Sequence, residues 1–157
     1  MSTLSITGAR LLKLEAAKAS GAARRVFNAA NVGDVDVAIT FVLDREMRAL
    51  NRRWRRVDRP TDVLSFSAME GELVLGDDRL LGDLVISTET AARQAKAWGH
   101  SVAVEVGVLV CHGLLHLCGL DHERGEAEAE RQLAVEMNVL SNAGLPVRAA
   151  LSSRHLR

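Results

Sequence analysis

The order of hydrophobic and polar positions predicts strands early in the chain and helices later. Residues 35–42 alternate and are rich in β-branched side chains, which is typical of a strand. Three further strands are predicted at residues 3–7, 62–67 and 80–87. Strands early and helices late in one domain favour an α/β (α+β) fold, with a small central mixed β-sheet and helices packed against it.

Helical periodicity marks most of the remaining chain. Apolar residues recur at this spacing in residues 8–28, although Gly21 weakens the pattern, and Asp44 is a suitable N-cap for a helix at residues 45–55. Turns or loops are expected at residues 31–34 and 70–79, and further helices at residues 88–98, 102–118 and 125–142. The helix at 102–118 is apolar on nearly every face, so we expect it to be largely buried.

Length and composition place the chain among globular proteins. Residues 1–157 are expected to form a single domain, with a frayed basic tail from about residue 147. Hydrophobic residues make up 48% of the chain and charged residues 25%, which argues against disorder. Lys plus Arg and Asp plus Glu both number 20, so only local clusters of charge can indicate a partner.

The cysteines and the first residues indicate a reducing compartment. Cys111 and Cys118 lie seven residues apart in one predicted helix, about 10 Å along its axis, which is too far for a disulfide. We expect both to be core residues. The chain opens without the basic and apolar segments of an export signal, so we expect a cytoplasmic location. Glu105 and two histidines interrupt the longest apolar stretch, so no membrane span is expected.

Three of the five histidines lie within eleven residues, at His112, His116 and His122. Residues at i and i+4 share one face of a helix. Gly119 follows where a residue that tolerates a left-handed conformation would end the helix, so His122 can return towards the other two. Three neutral imidazoles with a fourth position open form the arrangement of a catalytic zinc site.

A purely structural role explains these histidines less well. A single histidine in an apolar helix is usually a hydrogen-bonded core residue. Burying three imidazoles without partners, however, would cost on the order of a few kcal/mol each. Asp121, beside the third histidine, could accept the N–H of a ligand or could cap the turn, and both roles stay open.

The spacing His-x3-His-x2-Gly-x2-His matches that of metzincin peptidases, with one difference. In those enzymes the residue after the first histidine is a glutamate that accepts a proton from metal-bound water. Here that residue is Gly113. The pattern therefore indicates a metal–water site and disfavours peptide hydrolysis. A phosphodiester requires instead a metal-bound nucleophile and cations that offset the charge of the transition state.

Cations are concentrated in one segment, which holds five arginines in eight residues and one of the two tryptophans. The segment comprises Arg52, Arg53, Trp54, Arg55, Arg56 and Arg59. A run of charge is most often a solvated helix end. Arginine without lysine, however, suits bidentate phosphate contacts and base stacking, so a nucleic-acid interface is an equally open interpretation.

Three segments together resemble the YbeY family, bacterial endoribonucleases that act in ribosomal RNA maturation. Residues 112–122 (HGLLHLCGLDH) resemble its H-G-x-L-H-L-x-G-x-D-H signature. Residues 50–67 (LNRRWRRVDRPTDVLSFS) resemble its L-N-x-x-[FWY]-R-x-x-[DN]-x-P-T-D-V-L-S-F-P block, with Ser67 in place of the final proline. Residues 81–87 (LGDLVIS) resemble its L-G-D-I-x-I-S strand. The resemblance spans about residues 35–140.

The resemblance implies a zinc-dependent endoribonuclease for single-stranded RNA, with roles in small-subunit rRNA processing and ribosome quality control. It assigns His112, His116 and His122 as the ligands of one Zn²⁺ per chain. The family's motif arginine falls on Arg55, which would bind or polarise the scissile phosphate. Catalysis would then depend on Arg55 and on His116, whose zinc would make hydroxide available near neutral pH for attack on phosphorus.

The implied partners are single-stranded RNA, rRNA, and the ribosome or small-subunit proteins. The substrate-binding residues would be Arg52, Arg53, Trp54, Arg56 and Arg59. Two alternatives differ in chemistry. Another zinc hydrolase, such as a metallopeptidase, would need a general base that Gly113 cannot supply. A non-catalytic ribosome-associated protein would hold a structural zinc with four protein ligands, and Cys118 would be the candidate for the fourth.

Overall fold

The computed structural model describes residues 1–68, 79–120, 125–146 and 148–149. The strands of this part of the chain form one four-stranded sheet in the order β1-β2-β4-β3. They are β1 (Thr3–Thr7), β2 (Asp36–Val42), β3 (Val63–Ser67) and β4 (Leu80–Ser87). β1, β2 and β4 run parallel, and β3 runs antiparallel to β4. The predicted mixed sheet is confirmed, and β3 lies at its edge.

The helices follow the predicted periodicity with one exception. They are a 3₁₀ helix (Ala9–Glu15), α1 (Ala16–Ala30), α2 (Asp44–Arg55), α3 (Thr88–Trp98), α4 (Val102–Leu117) and α5 (Glu126–Asn142). The prediction of one helix over residues 8–28 is wrong, because the helical backbone is interrupted at Lys13, which has a φ of 54° and a ψ of −119°. The break directs Leu12 into the core and leaves Leu14 exposed.

The side chains of the sheet divide the core into two layers, as the alternation of a strand requires. The larger layer contains apolar residues of β2 and β4 together with residues of α1, α4 and α5. In the smaller layer, Met47 of α2 packs with Leu64 and Val85. Helices therefore cover both faces of the sheet, which confirms the predicted α/β class.

α4 is the central helix of the larger layer. It contacts α1, α3, α5, β3 and β4. Twelve of its 16 residues are buried, which confirms the prediction of a buried helix. The side chain of Ser101 caps its start by accepting a hydrogen bond from the Val104 N–H at 3.1 Å. Gly119 follows its end with a φ of 93°, in the left-handed region that was predicted.

The cysteine predictions are confirmed in part. Both cysteines are free thiols, and Cys111 is buried in the core. Cys118 is exposed, so its prediction as a core residue is wrong. The reason is that α4 ends at Leu117, which places Cys118 in the turn that follows.

The remaining predictions concern a membrane span, one loop and the C-terminal tail. Among the described residues, no single helix is long and apolar enough to cross a membrane. The pair α3 and α4 together reaches that length and apolar character, but the two helices are bent by 112° at their junction. The loop predicted at 70–79 lies outside the described residues except for Arg79. Of the tail predicted to fray, only residues 148–149 are described.

Candidate active site

His112 and His116 lie one turn apart in α4, and both are partly exposed in a helix that is otherwise mostly buried. His122, the third predicted ligand, and Asp121 beside it lie outside the described residues. Within residues 1–68, 79–120, 125–146 and 148–149, no three His, Cys, Asp or Glu side chains are grouped so that they could hold a metal. The structure thus places two of the three predicted ligands.

A buried carboxylate beside His112 was not predicted from the sequence. Nδ1 of His112 lies 3.1 Å from Oε1 of Glu136 and 3.2 Å from Nε2 of Gln132. The same Gln132 nitrogen lies 3.2 Å from Oε1 of Glu136. A signal for both was present in α5, whose buried positions 132, 136, 139 and 140 follow a helical period but begin with two polar residues.

The donors on α4 fit a zinc ion. Zinc takes imidazole nitrogens as ligands, and a metal-binding histidine commonly donates its second N–H to a carboxylate. Glu136 stands in that position relative to Nδ1 of His112. The other ring nitrogen, Nε2, is then the one that can bind a metal. This carboxylate comes from α5, whereas Asp121 was one candidate for the role from the sequence.

Gly113 is fixed by packing. A Cβ atom at this position would lie 2.7 Å from Cδ2 and 3.1 Å from Cδ1 of Leu84, a residue of β4 that is fully buried. Any side chain at position 113 would therefore have to displace the buried side chain of Leu84. The glutamate of the metzincin pattern cannot be accommodated here without such a shift.

Arg55 is the last residue of α2 and reaches the edge of the sheet beside α4. Its Nη2 donates to the carbonyl oxygen of Ser65 at 3.4 Å, and the Ser65 hydroxyl donates to the carbonyl oxygen of Gly113 at 3.5 Å. Both distances are long for hydrogen bonds, so the two contacts contribute little stability. They show which groups are neighbours. Together they place Arg55 two contacts away from the residue that follows His112.

The start of α2 is anchored to the junction of β4 and α3 through Asp44. Oδ1 of Asp44 accepts hydrogen bonds from the Ser87 hydroxyl at 2.6 Å and the Thr90 hydroxyl at 2.7 Å, and Oδ2 accepts from Arg93 at 2.8 Å. Burial raises the pKa of Asp44, but these three hydrogen bonds outweigh it and hold the pKa below its usual value. The prediction of Asp44 as the N-cap is wrong. Leu43 occupies the N-cap position, and Asp44 is the first residue of α2.

Trp54 presents an aromatic ring to solvent next to Arg55. Its side chain is 59% exposed. The Phe66 ring of β3 meets it edge-on, with 6.1 Å between ring centroids and 71° between the planes. The guanidinium of Arg53 lies 5.1 Å from the centroid of the Trp54 ring. The ring therefore makes an edge-on aromatic contact with Phe66 and carries a cation over one face.

The remaining arginines of the segment are all exposed but have different surroundings. Arg52 lines a surface depression with Arg45, Arg48 and Asp58, in which Arg48 binds both oxygens of Asp58 at 2.9 and 3.1 Å. Arg56 follows the end of α2 with a φ of 59°. The carbonyl of Arg59 accepts a 2.8 Å hydrogen bond from the buried Asn51 side chain. The structure thus presents these side chains around the end of α2.

The chain is similar to known proteins of one family. The family model described as "Endoribonuclease YbeY" matches residues 10–144. Endoribonuclease YbeY of Pelotomaculum thermopropionicum is 44% identical over 127 residues, which cover 79% of this chain and 83% of that protein. The Aquifex aeolicus protein of the same name is 42% identical over 119 residues, 76% of this chain and 77% of that protein.

A solved structure shares the fold as well. The solution structure of TM1509 from Thermotoga maritima is similar, with a TM-score of 0.53 and 28% sequence identity, over 88% of this chain and 89% of that chain. The family match covers the arginine segment, the strand β4 and the histidine helix together. The chain therefore belongs to the endoribonuclease YbeY family.

Proposed function

We propose that this chain is a zinc-dependent endoribonuclease that cleaves single-stranded RNA during maturation of small-subunit rRNA in the cytoplasm. Family membership supports the endoribonuclease activity. The structural observation that supports it most is that Arg55 contacts Ser65 and Ser65 contacts Gly113, because the cation and the histidine helix then meet at the same residue of β3. The zinc, the rRNA substrate and the location are part of the proposal.

The proposed roles divide between α4 and α2. His112, His116 and His122 would hold one zinc ion, which supplies a Lewis acid that makes water a better nucleophile near neutral pH. Arg55 would bind the scissile phosphate. Its planar guanidinium can contact two phosphate oxygens at once and offsets the negative charge that grows in the transition state.

Trp54 and the surrounding arginines would bind the RNA strand. An exposed ring can stack on a base only where that base is unstacked from its neighbours, which favours single strands over duplexes. Arg53 adds positive charge at the ring. The remaining exposed cations of the segment, Arg52, Arg56 and Arg59, would contact phosphates, whose neutralisation makes binding dependent on salt.

Peptide hydrolysis is disfavoured by packing as well as by sequence, because Leu84 occupies the space that a side chain at position 113 would need. A structural zinc site would need a fourth protein ligand, for which Cys118 is the candidate. Within the described part of the chain, Cys118 does not form a three-residue metal-binding group with His112 and His116.

The test is one set of measurements on purified protein. The zinc content and the cleavage of a single-stranded RNA, its duplex and a peptide are measured for the wild type, His116→Ala and His155→Ala, a histidine outside the proposed ligand set. The wild type and His155→Ala should cleave only the single strand. His116→Ala should lose zinc and cleavage together. Unchanged RNA cleavage by His116→Ala would show that the proposed mechanism is wrong.

The rRNA assignment needs a substrate comparison of its own. A fragment of a small-subunit rRNA precursor should be cleaved faster, and at fewer positions, than an unrelated single strand of the same length. Equal rates and equally dispersed cuts on both RNAs would leave a general single-strand endoribonuclease and remove the rRNA assignment.

A further inference from the structure

α5 carries two polar residues on the face that packs into the core. Gln132 is 1% exposed and Glu136 is 4% exposed. Burying a carboxylate is costly unless hydrogen bonds to its charged form compensate for the lost water. The apolar residues Val139 and Leu140 continue the same stripe, so an apolar residue at position 136 would suit the packing of α5. The carboxylate is therefore explained by what it binds.

The contacts of Glu136 decide which ring nitrogen of His112 carries a proton. An ionised carboxylate only accepts hydrogen bonds, so Nδ1 of His112, 3.1 Å from Oε1, has to be the donor. Gln132 donates from Nε2 to the same oxygen at 3.2 Å. Nε2 of Gln132 also lies 3.2 Å from Nδ1 of His112. The two nitrogens are close because both donate to the same carboxylate oxygen. With the proton on Nδ1, Nε2 of His112 carries the lone pair that a metal requires.

We propose that Glu136 is a positioning residue that holds His112 as its Nδ1–H tautomer with Nε2 directed to the metal, and that Gln132 fixes the carboxylate for this task. The inference rests on the proposed zinc site, and it adds two residues from a different helix. It also explains why α5 packs a charged side chain against α4. A charge-assisted hydrogen bond from the ring N–H to a buried, fixed acceptor orients the ring more firmly than a neutral hydrogen bond does.

The chain provides a matched control near the start of α4, the helix that carries His112. Glu105 of α4 is 1% exposed and lies 2.6 Å from Nε2 of His100, so it too is a buried carboxylate paired with a histidine. Neither residue belongs to the proposed metal site. A general effect of replacing a buried Glu–His pair should therefore appear equally in Glu105→Gln and Glu136→Gln.

The test is a zinc titration against a chromophoric chelator, together with thermal unfolding of the zinc-free proteins. Glu136→Gln, which keeps the shape of the side chain, should bind zinc about 10- to 100-fold more weakly than the wild type. Glu105→Gln should bind zinc as the wild type does, even if its unfolding temperature changes. Wild-type zinc affinity in Glu136→Gln, or an equal loss in Glu105→Gln, would overturn the inference. A wild type that binds no zinc would overturn the proposed metal site itself.

A second measurement needs no variant. Nitrogen-15 NMR of the zinc-free wild type distinguishes a protonated ring nitrogen from one with a lone pair. His112 should show a protonated Nδ1 and an unprotonated Nε2 at pH 7.5. The opposite tautomer in the folded, zinc-free protein would also overturn the inference.

Discussion

Leu84 of β4 and Gly113 of α4 approach each other so closely that a Cβ on the glycine would lie 2.7 Å from Cδ2 of the leucine. Leu84 is fully buried and has no path into solvent. The position that bears a general base in metzincin peptidases is therefore used here to seat the histidine helix on the sheet. The carbonyl oxygen of Gly113 also accepts a hydrogen bond from the Ser65 hydroxyl, so α4 meets the edge strand that Arg55 reaches.

This packing predicts the sign of a glycine substitution. In a helix interior, Gly→Ala normally stabilises a protein by roughly 0.5–1 kcal/mol. Gly113→Ala should instead destabilise by about 1–3 kcal/mol, because the added methyl overpacks the core against Leu84. Urea unfolding of the zinc-free protein measures the change.

The control for this substitution is Gly21→Ala in α1, where a Cβ would meet no atom within 4 Å. It should raise the free energy of unfolding. If Gly113→Ala stabilised the protein as much as Gly21→Ala, the proposed steric exclusion of a base at position 113 would be wrong.

Trp54 should contribute directly to RNA binding. Loss of base stacking costs about 1–3 kcal/mol per base, so Trp54→Ala should raise the Kd for a single-stranded RNA about 5- to 150-fold. Trp54→Phe should retain most of the affinity, because a phenyl ring still stacks. Fluorescence anisotropy at constant salt, with a chelator present to prevent cleavage, gives the Kd.

A surface hydrophobic residue elsewhere provides the comparison. Leu14 is 96% exposed on the 3₁₀ helix, and Leu14→Ala should leave the Kd unchanged. An unchanged Kd in Trp54→Ala would remove the aromatic ring from the RNA-binding surface.

Asp44 should make stability depend on pH in a defined direction. Its hydrogen bonds with Ser87, Thr90 and Arg93 lower its pKa in the folded state despite its burial. Its stabilising contribution is therefore complete above the unfolded pKa of about 3.9 and is lost as the pH falls through the folded pKa. Asp44→Asn should destabilise by about 1.5 kcal/mol at pH 7, the low end for hydrogen bonds to a charged group, since Arg93 is exposed.

The measurement is urea unfolding of the wild type and Asp44→Asn at pH 7, 5 and 3. The difference between the two proteins should be constant from pH 7 to 5 and smaller at pH 3. A difference that stays the same down to pH 3 would show that the charge of Asp44 does not stabilise α2.

Local sequence patterns predicted most of the helices and strands, because these elements are determined by neighbouring residues. The alternation in β2, the apolar helix α4 and the left-handed Gly119 all follow from side-chain period and backbone sterics. The break at Lys13 and the exposure of Cys118 were not predicted. Both depend on where the chain turns away from the core, and the periodicity of apolar residues gives no information on that position.

The site shows the same division. His112 and His116 were found from spacing, and Arg55 from the resemblance to the family. Their relation across β3 could not be read from sequence, because it arises from Ser65 at the edge of the sheet contacting both α2 and α4. Glu136 was missed because its partner His112 lies 24 residues away in the chain. A buried polar residue within a helical apolar stripe was the signal that could have revealed it.

The proposal of one active site shared by the histidine helix and the arginine segment is tested most directly by single-turnover cleavage of a single-stranded RNA by zinc-loaded Arg55→Ala. Arg10→Ala, an exposed arginine on the 3₁₀ helix, serves as the control. Arg55→Ala should keep the zinc content of the wild type and cleave at least about 100-fold more slowly, as expected when a charge-stabilising group is removed. Cleavage at the wild-type rate would contradict the shared site.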